Sequence, residues 1–345
     1  MTDNTSSWNI APAPEGTVLS VGIVGAGQIV SRVHLPVLKS CEGIRVVYVA
    51  DVNPKVAKAV ADNYHTRACV VKGDANELPK TDVALLAIPV TERLPYYEIF
   101  AQRGTAVLAE KPLASGIQDA ERVCRLFPEY ALACGFQRRT YASVGVARKL
   151  IAESWFGPLR SISIAEGALT TKTGTDSRFY DDAATSSGGV LMDLGCHSLD
   201  LAIYLTDATE AVPLEQRFVF DEGIDREIEA KLNLRLAGGS CDVSYLVSWL
   251  RPTRNTIDLH FERCIASLSC GPAGDLAIYS ANNRSAASLR MENAGASTVY
   301  QAFYLEWQAF LQAVHRRQVC ELSAHSCLPT VRAVEALYNA GTENL

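Results

Sequence analysis

The chain has 345 residues, 48% of them hydrophobic and 20% charged, which suits a globular protein of two domains with large cores. Its formal net charge of −6 lacks the basic excess of a nucleic-acid binder, and no apolar run approaches the roughly 20 residues that cross a bilayer. The ten cysteines include no Cys-x-x-Cys pair and several sit in apolar runs, so they read as buried free thiols of a cytoplasmic protein, with no metal site expected.

Residues 1–16 are polar, with Ser, Asn and Pro, and lack the basic start and apolar core of a secretory signal; a flexible tail is expected. The chain is then organised around the stretch from Val18 to Val30. Val18, Leu19, Val21, Ile23 and Val24 form a short apolar run suited to a parallel strand covered on both faces. Gly25 permits a tight turn, and Gly27, without a Cβ, lets a pyrophosphate approach the backbone. A helix starting near Gln28 and Ile29 aims its free N–H groups and positive dipole end at that pyrophosphate. Val30 stands where a dinucleotide fingerprint wants a third small residue, so an ordinary strand–turn–helix remains an alternative for the glycines alone. Asp51 then closes the apolar run from Arg45 to Ala50, about 20 residues on, where a carboxylate meets the adenosine ribose hydroxyls. Such a carboxylate favours NAD over NADP, and Val52 and Asn53 offer no Arg for a 2′-phosphate, although Lys55 and Lys58 lie close.

Ile29 to Lys39 reads as a helix, broken or bent at Pro36. Pro54 to Tyr64 is a second helix, with Asn53 as N-cap. Next come a strand from Asp82 to Ile88 that ends at Pro89, a helix from Glu92 to Gln102 and a strand from Thr105 to Ala109. A helix from Ile117 to Leu126 and a strand from Ala131 to Gly135 complete the series. This alternation means a doubly wound parallel sheet, a Rossmann domain over residues 17–137.

From residue 138 to 345 the pattern is different. After a helix from Tyr141 to Ser154, strands are expected at Ser161–Ala165, Arg217–Phe220, Glu229–Leu236, Asp242–Leu250, Thr256–Phe261, Ile265–Ser269 and Leu276–Tyr279. Several alternate polar with apolar residues, as in Lys231-Leu-Asn-Leu-Arg-Leu, the signature of an antiparallel sheet with one wet face. Helices at Gly189–Leu205, Val299–Val314 and Leu328–Tyr338 interrupt or close it. The fold class is therefore α/β: an N-terminal Rossmann sheet, then an α+β domain with a large, mainly antiparallel open sheet whose free face suits a subunit interface.

Two stretches carry chemistry. The strand ending at Ala109 runs into Glu110-Lys111-Pro112, and strand C-termini line the ligand crevice of an open α/β sheet. Lys111 is thus near the nicotinamide end of a dinucleotide; a solvent-exposed turn lysine is the alternative. The second stretch runs from Ser186 to Asp200. On a regular helix Asp193, His197 and Asp200 share one face. A capping or salt-bridging face, with His197 hydrogen-bonded in the core, is the alternative there.

The order of these features resembles the Gfo/Idh/MocA family (glucose-fructose oxidoreductase, inositol dehydrogenase, rhizopine catabolism) from Val18 to about Asn339. The matching pieces are Gly25-Ala-Gly-Gln-Ile, His34-Leu-Pro36, Asp51, Ala87-Ile-Pro89, Glu110-Lys-Pro112, Gly135-Phe-Gln-Arg-Arg139, and Gly188-Gly-Val-Leu-Met-Asp-Leu-Gly-Cys-His197-Ser-Leu-Asp200. The resemblance implies hydride transfer between a nicotinamide and a carbinol or ketone carbon of a sugar, cyclitol or nucleotide sugar. Lys111, Asp193 and His197 align with the family's catalytic residues. Gly25, Gly27, Gln28, Ile29, Asp51, Ile88, Pro89, Glu110 and Lys111 form the expected cofactor wall, for NAD with NADP possible. Arg139, Asp193 and His197 are the expected substrate contacts, and a homodimer or homotetramer is implied. Val30, Arg93 and Thr140 depart from the family's usual small residue, histidine and aromatic. Lys111 or His197 is suited to carry the proton; His197 is favoured at the reacting oxygen, with Lys111 polarising it and Asp193 anchoring a second hydroxyl. A dinucleotide-binding sensor without turnover, and a dehydrogenase of a non-sugar ketone or imine, remain open.

Overall fold

The computed structural model describes residues 16–71, 75–169, 188–272, 275–280, 286–290 and 295–342. The expected tail therefore lies outside the described residues except for Gly16, as do Ser186 and Ser187. The chain forms two compact units: residues 1–136 with 303–327, and residues 137–302 with 328–345.

The first unit is built on six parallel strands: β1 (Leu19–Val24), β2 (Ile44–Asp51), β3 (Arg67–Val70), β4 (Val83–Leu86), β5 (Ala106–Ala109) and β6 (Leu132–Cys134), in the order β3-β2-β1-β4-β5-β6. β4 and β5 are buried at every residue, as a sheet covered on both faces requires. The topology reverses between β1 and β4, and a crevice opens beyond the carboxyl ends of those strands. The connecting helices are α1 (Leu35–Lys39), α2 (Pro54–Asn63), α3 (Leu94–Arg103) and α4 (Ile117–Leu126). Asn53 caps α2 by accepting from the N–H groups of Lys55 and Val56. The first helix does not break at Pro36. The turn Val30–His34 before it is a π-turn, and the Leu35 N–H reaches back to the Val30 carbonyl. The chain thus rewinds just ahead of a residue that has no N–H to give.

A segment far along the chain also belongs to this unit. The helix α7 (Val299–Arg316) contributes Phe303 onward, and Leu322 accepts from Cys134 N–H at 3.0 Å beside the Ala133–Ser323 bridge, covering the β6 edge. The division at residue 137 thus differs from the observed units by this return of residues 303–327. The apolar face of α7, with Trp307 and Phe310 wholly buried, makes it a core element here.

The second unit carries eight strands: β7 (Leu159–Gly167), β8 (Glu210–Asp221), β9 (Ile224–Leu236), β10 (Gly239–Ser248), β11 (Thr256–Phe261), β12 (Cys264–Ser269), β13 (Asp275–Ser280) and β14 (Ala286–Arg290). Their order is β14-β13-β12-β11-β7-β10-β9-β8, antiparallel except where β7 meets β10. One face buries Ile162, Ile164, Leu232, Val243 and Val247. The other bears ion pairs such as Lys231–Glu215 at 2.8 Å. Packed with this sheet are α5 (Ala142–Ala152), α6 (Cys196–Thr206) and α8 (Leu328–Thr342). Among the described residues no helix is long and apolar enough to cross a membrane, and no group of His, Cys, Asp and Glu is placed to hold a metal.

Glu306 on α7 is 0% exposed, and neither carboxyl oxygen has a hydrogen-bond partner among the described residues. Burial, reinforced by the charge of Glu110, pushes its carboxyl well above the usual carboxylate range. The folded protein therefore keeps a proton that the unfolded chain releases. Stability from this group is present at acid pH and is lost as pH rises above the usual range and through the raised value. Glu306→Gln is expected to widen its lead in melting temperature over the parent from about pH 5 to about pH 8. Thermal unfolding across that range tests this, and a lead that shrinks with pH contradicts it.

Candidate functional site

In the first unit, β1 delivers the chain to Gly25 at a φ of 98°, where a Cβ would overlap the Ala87 carbonyl. Gly27 has the opposite surroundings: a Cβ there would meet nothing within 4 Å. The first helical bond runs from Ser31 N–H to Gly27 O at 3.0 Å, so the N–H groups of Gln28, Ile29 and Val30 precede it. Asp51 at the end of β2 is oriented by two backbone donors, Ala26 N–H to Oδ2 at 2.9 Å and Asn53 N–H to Oδ1 at 2.8 Å. Open space over a glycine, early N–H donors and a fixed carboxylate fit the pyrophosphate and ribose of a dinucleotide. Val30 does not intrude on that space, because its side chain is wholly buried.

Ile88 and Pro89 follow β4, and Glu110 and Lys111 follow β5. Arg93 joins these two strand ends. Its Nε donates to the Ile88 carbonyl at 2.8 Å, and its Nη1 donates to the carbonyls of Glu110 and Pro112. The Glu110 carboxylate lies 2.7 Å from His34 Nε2. Burial alone would raise the Glu110 carboxyl, but the His34 hydrogen bond and the nearby charges of Lys111 and Arg93 hold it below its ordinary value. Gly25, Gly27, Asp51, Ile88, Pro89, Glu110 and Lys111 thus all sit at one end of one sheet, as their spacing implies.

In the second unit, Asp193 lies in a π-turn, Leu191–Gly195, that leads directly into α6 and His197. The extra residue in that turn removes the regular stripe expected for Asp193, His197 and Asp200. Asp193 is partly exposed, whereas His197 is buried. The turn is anchored by Asp225, which accepts from Gly189 N–H and Leu191 N–H at 2.6 and 2.8 Å and from the Tyr338 hydroxyl at 3.0 Å. A carboxylate on first-turn donors also suits the helix dipole.

Asp200 points elsewhere. Its carboxylate takes Arg139 Nε and Nη2 at 2.8 and 2.6 Å and the Thr330 hydroxyl at 3.0 Å, and both charged side chains are 1% exposed. Arg139 is therefore engaged in a buried, bidentate ion pair. Its neighbour Arg138 is placed differently. It pairs with Glu166 of β7 at 2.8 Å, while its Nη1 and Glu166 Oε2 are buried without hydrogen-bond partners among the described residues. Burial opposes the Arg138 charge, and Glu166 outweighs it and raises the pKa. Sequence reasoning missed this pair. Two adjacent arginines were the available signal, and nothing local to Glu166 marks it.

The family model for an oxidoreductase family with an NAD-binding Rossmann fold matches residues 19–136, and the GFO/IDH/MocA C-terminal domain matches residues 144–267. The chain is 31% identical over 191 residues to inositol 2-dehydrogenase of Rhizobium meliloti, covering 53% of this chain and 54% of that protein. It is 29% identical over 197 residues to dTDP-3,4-didehydro-2,6-dideoxy-alpha-D-glucose 3-reductase of Streptomyces antibioticus, covering 56% and 57%. Each of these alignments thus spans about half the relative's length. The aldose-aldose oxidoreductase of Caulobacter crescentus, solved with glycerol, shares the fold at a TM-score of 0.79 and 19% identity, over 95% of this chain and 98% of that one.

Breaking a buried pair strands a charge, which costs about 3–5 kcal/mol. Arg139→Leu is expected to lose that much in urea unfolding, and adding Asp200→Leu is expected to restore most of it. A single-variant loss below about 1 kcal/mol contradicts the buried pair.

Proposed function

Because the chain belongs to the Gfo/Idh/MocA oxidoreductase family, we propose that it is an NAD-dependent dehydrogenase or reductase acting on a carbinol or ketone carbon of a sugar, cyclitol or nucleotide sugar. The observation that carries this reading is the Asp51 carboxylate, fixed by Ala26 N–H and Asn53 N–H beside the open turn at Gly27. Each carboxylate oxygen keeps a lone pair for a ribose hydroxyl. Its negative charge opposes a 2′-phosphate, so NAD is the preferred form. The names of the relatives, an inositol dehydrogenase and a dTDP-sugar reductase, support the substrate class.

Gly25, Gly27, Gln28, Ile29, Asp51, Ile88, Pro89, Glu110 and Lys111 hold the dinucleotide in this reading. Bound nicotinamide supplies or accepts the hydride. His197 exchanges the proton of the reacting oxygen, the work of a general acid–base at neutral pH. Lys111 orients and polarises that oxygen, and Asp193 accepts from a second hydroxyl. The guanidinium of Arg139, an expected substrate contact, serves Asp200 in a buried pair. A polyol has the hydroxyl density to use Lys111, Asp193 and His197. The same reading carries assembly as a homodimer or homotetramer, with the polar outer face of the second unit's sheet as a surface of the right kind. It also carries a cytoplasmic location, which the ten free thiols suit.

Calorimetric titration of NAD and NADP, paired with turnover, tests the reading. NAD is expected to bind more tightly than NADP. His197→Asn, which keeps a hydrogen-bonding group but cannot titrate, is expected to lose roughly a hundredfold in turnover with its melting temperature and NAD affinity nearly unchanged. Equal or reversed dinucleotide affinity contradicts the cofactor assignment. A destabilised but fully active His197→Asn shows a structural histidine instead.

A further inference from the structure

Resting on the reading of Lys111 as a catalytic group, we propose that His34 is a positioning residue for Lys111. It acts through Glu110 in one uncharged tautomer fixed by Trp307, while Arg93 holds the same turn by its backbone.

His34 is 1% exposed and lies at the end of the π-turn in the first unit. Its ring has a partner on each nitrogen. Trp307 Nε1 is 3.0 Å from Nδ1, and Glu110 Oε1 is 2.7 Å from Nε2. An indole N–H only donates, so Nδ1 must accept and carries no proton. The ring proton is then on Nε2 and is donated to the Glu110 carboxylate. An imidazolium would set an Nδ1–H against the Trp307 N–H, donor against donor. The ring plane is held as well, with Phe303 edge-on at 5.0 Å and Trp307 at 6.0 Å between centroids.

Glu110 is the residue before Lys111, so fixing its side chain fixes the approach to the lysine. Arg93 completes the restraint from the other side, because the Glu110 and Pro112 carbonyls that it binds flank Lys111. The groups facing Glu110 are then a neutral His34, the cations Lys111 and Arg93, and Glu306, whose burial keeps it uncharged. Glu110 is the one negative charge in that set, and it is aimed by hydrogen bonds rather than by solvent. The histidine supplies an acceptor on one side and a donor on the other, and the role does not need it to titrate. A glutamine amide supplies the same pair; a leucine supplies neither.

Three variants and one spectroscopic measurement test this. Nitrogen NMR of the His34 ring in the intact protein at neutral pH is expected to show the neutral Nε2–H tautomer. With saturating NAD and whichever of myo-inositol, D-glucose or D-xylose the parent oxidises, His34→Leu is expected to lower kcat about a hundredfold while KM and NAD affinity change less than about threefold. His34→Gln is expected to recover at least about tenfold of that loss, with the parent's pH profile. Trp307→Phe keeps an aromatic ring edge-on to His34 but removes the donor, so the His34 nitrogen signals are expected to shift towards a tautomer mixture and kcat to fall. This variant carries the test if His34→Leu does not fold. The proposal is overturned if Nδ1 is protonated in the parent, if His34→Gln is no better than His34→Leu, or if His34→Gln erases a limb of the pH profile, which would make His34 a proton carrier. A parent protein that binds NAD but oxidises and reduces nothing overturns the role given to Lys111 itself, whatever the His34 tautomer.

Discussion

The Glu110 carboxylate is largely buried, 2.7 Å from His34 Nε2, and is kept ionised by that bond and by the charges of Lys111 and Arg93. A buried carboxylate without such partners would take up a proton, as Glu306 does on the neighbouring helix. Much of the first unit follows from this one requirement. The π-turn ahead of Pro36 ends at His34, and α7 returns from far along the chain to place Trp307 against it. Arg93 gives up a surface position to bind the carbonyls around Lys111. The crevice beyond β1, β4 and β5 is therefore bordered by a turn restrained on both sides.

The second unit answers a similar problem with different groups. Asp193 and His197 lie at the junction of a π-turn and α6, where the first backbone donors need acceptors. Asp225 supplies them from β9, and the Tyr338 hydroxyl restrains Asp225 in turn. Further along the same helix the Arg139–Asp200 pair, bound also by Thr330, ties α6 to the segment before α5 and to α8. In both units a charged side chain also braces the chain around a site candidate. Glu110 is hydrogen-bonded to His34 beside Lys111, and Asp200, on the helix that bears His197, binds Arg139 and Thr330.

The legible features were those written in local pattern. Strand β1, the glycine turn, Asp51, the Asn53 cap and the strand before Glu110 were read from apolar runs and short spacings, and the structure has them. The two π-turns were not legible, because one extra residue in a turn leaves the composition unchanged while shifting every later side chain around the axis. That shift is why Asp193, His197 and Asp200 do not form one stripe. β3, with the sequence Arg67-Ala-Cys-Val, and β14, with the sequence Ala286-Ala-Ser-Leu-Arg290, are edge strands of four and five residues, too short to give a periodic signal. The contact between Trp307 and His34 joins residues separated by 273 positions, and no local pattern reports such a pairing. Arg138 and Arg139 are adjacent and chemically identical, and only the tertiary placement of Glu166 and Asp200 distinguishes them.

A crystal structure of the protein with NAD bound is the most direct test of the central claim, that the strand-end crevice of the first unit holds the dinucleotide with Lys111 at its reactive end. The account predicts the pyrophosphate on the N–H groups after Gly27, both adenosine ribose hydroxyls on Asp51, and the nicotinamide ring beside Lys111. A dinucleotide bound away from Gly27, or with its adenosine ribose out of reach of Asp51, would contradict it.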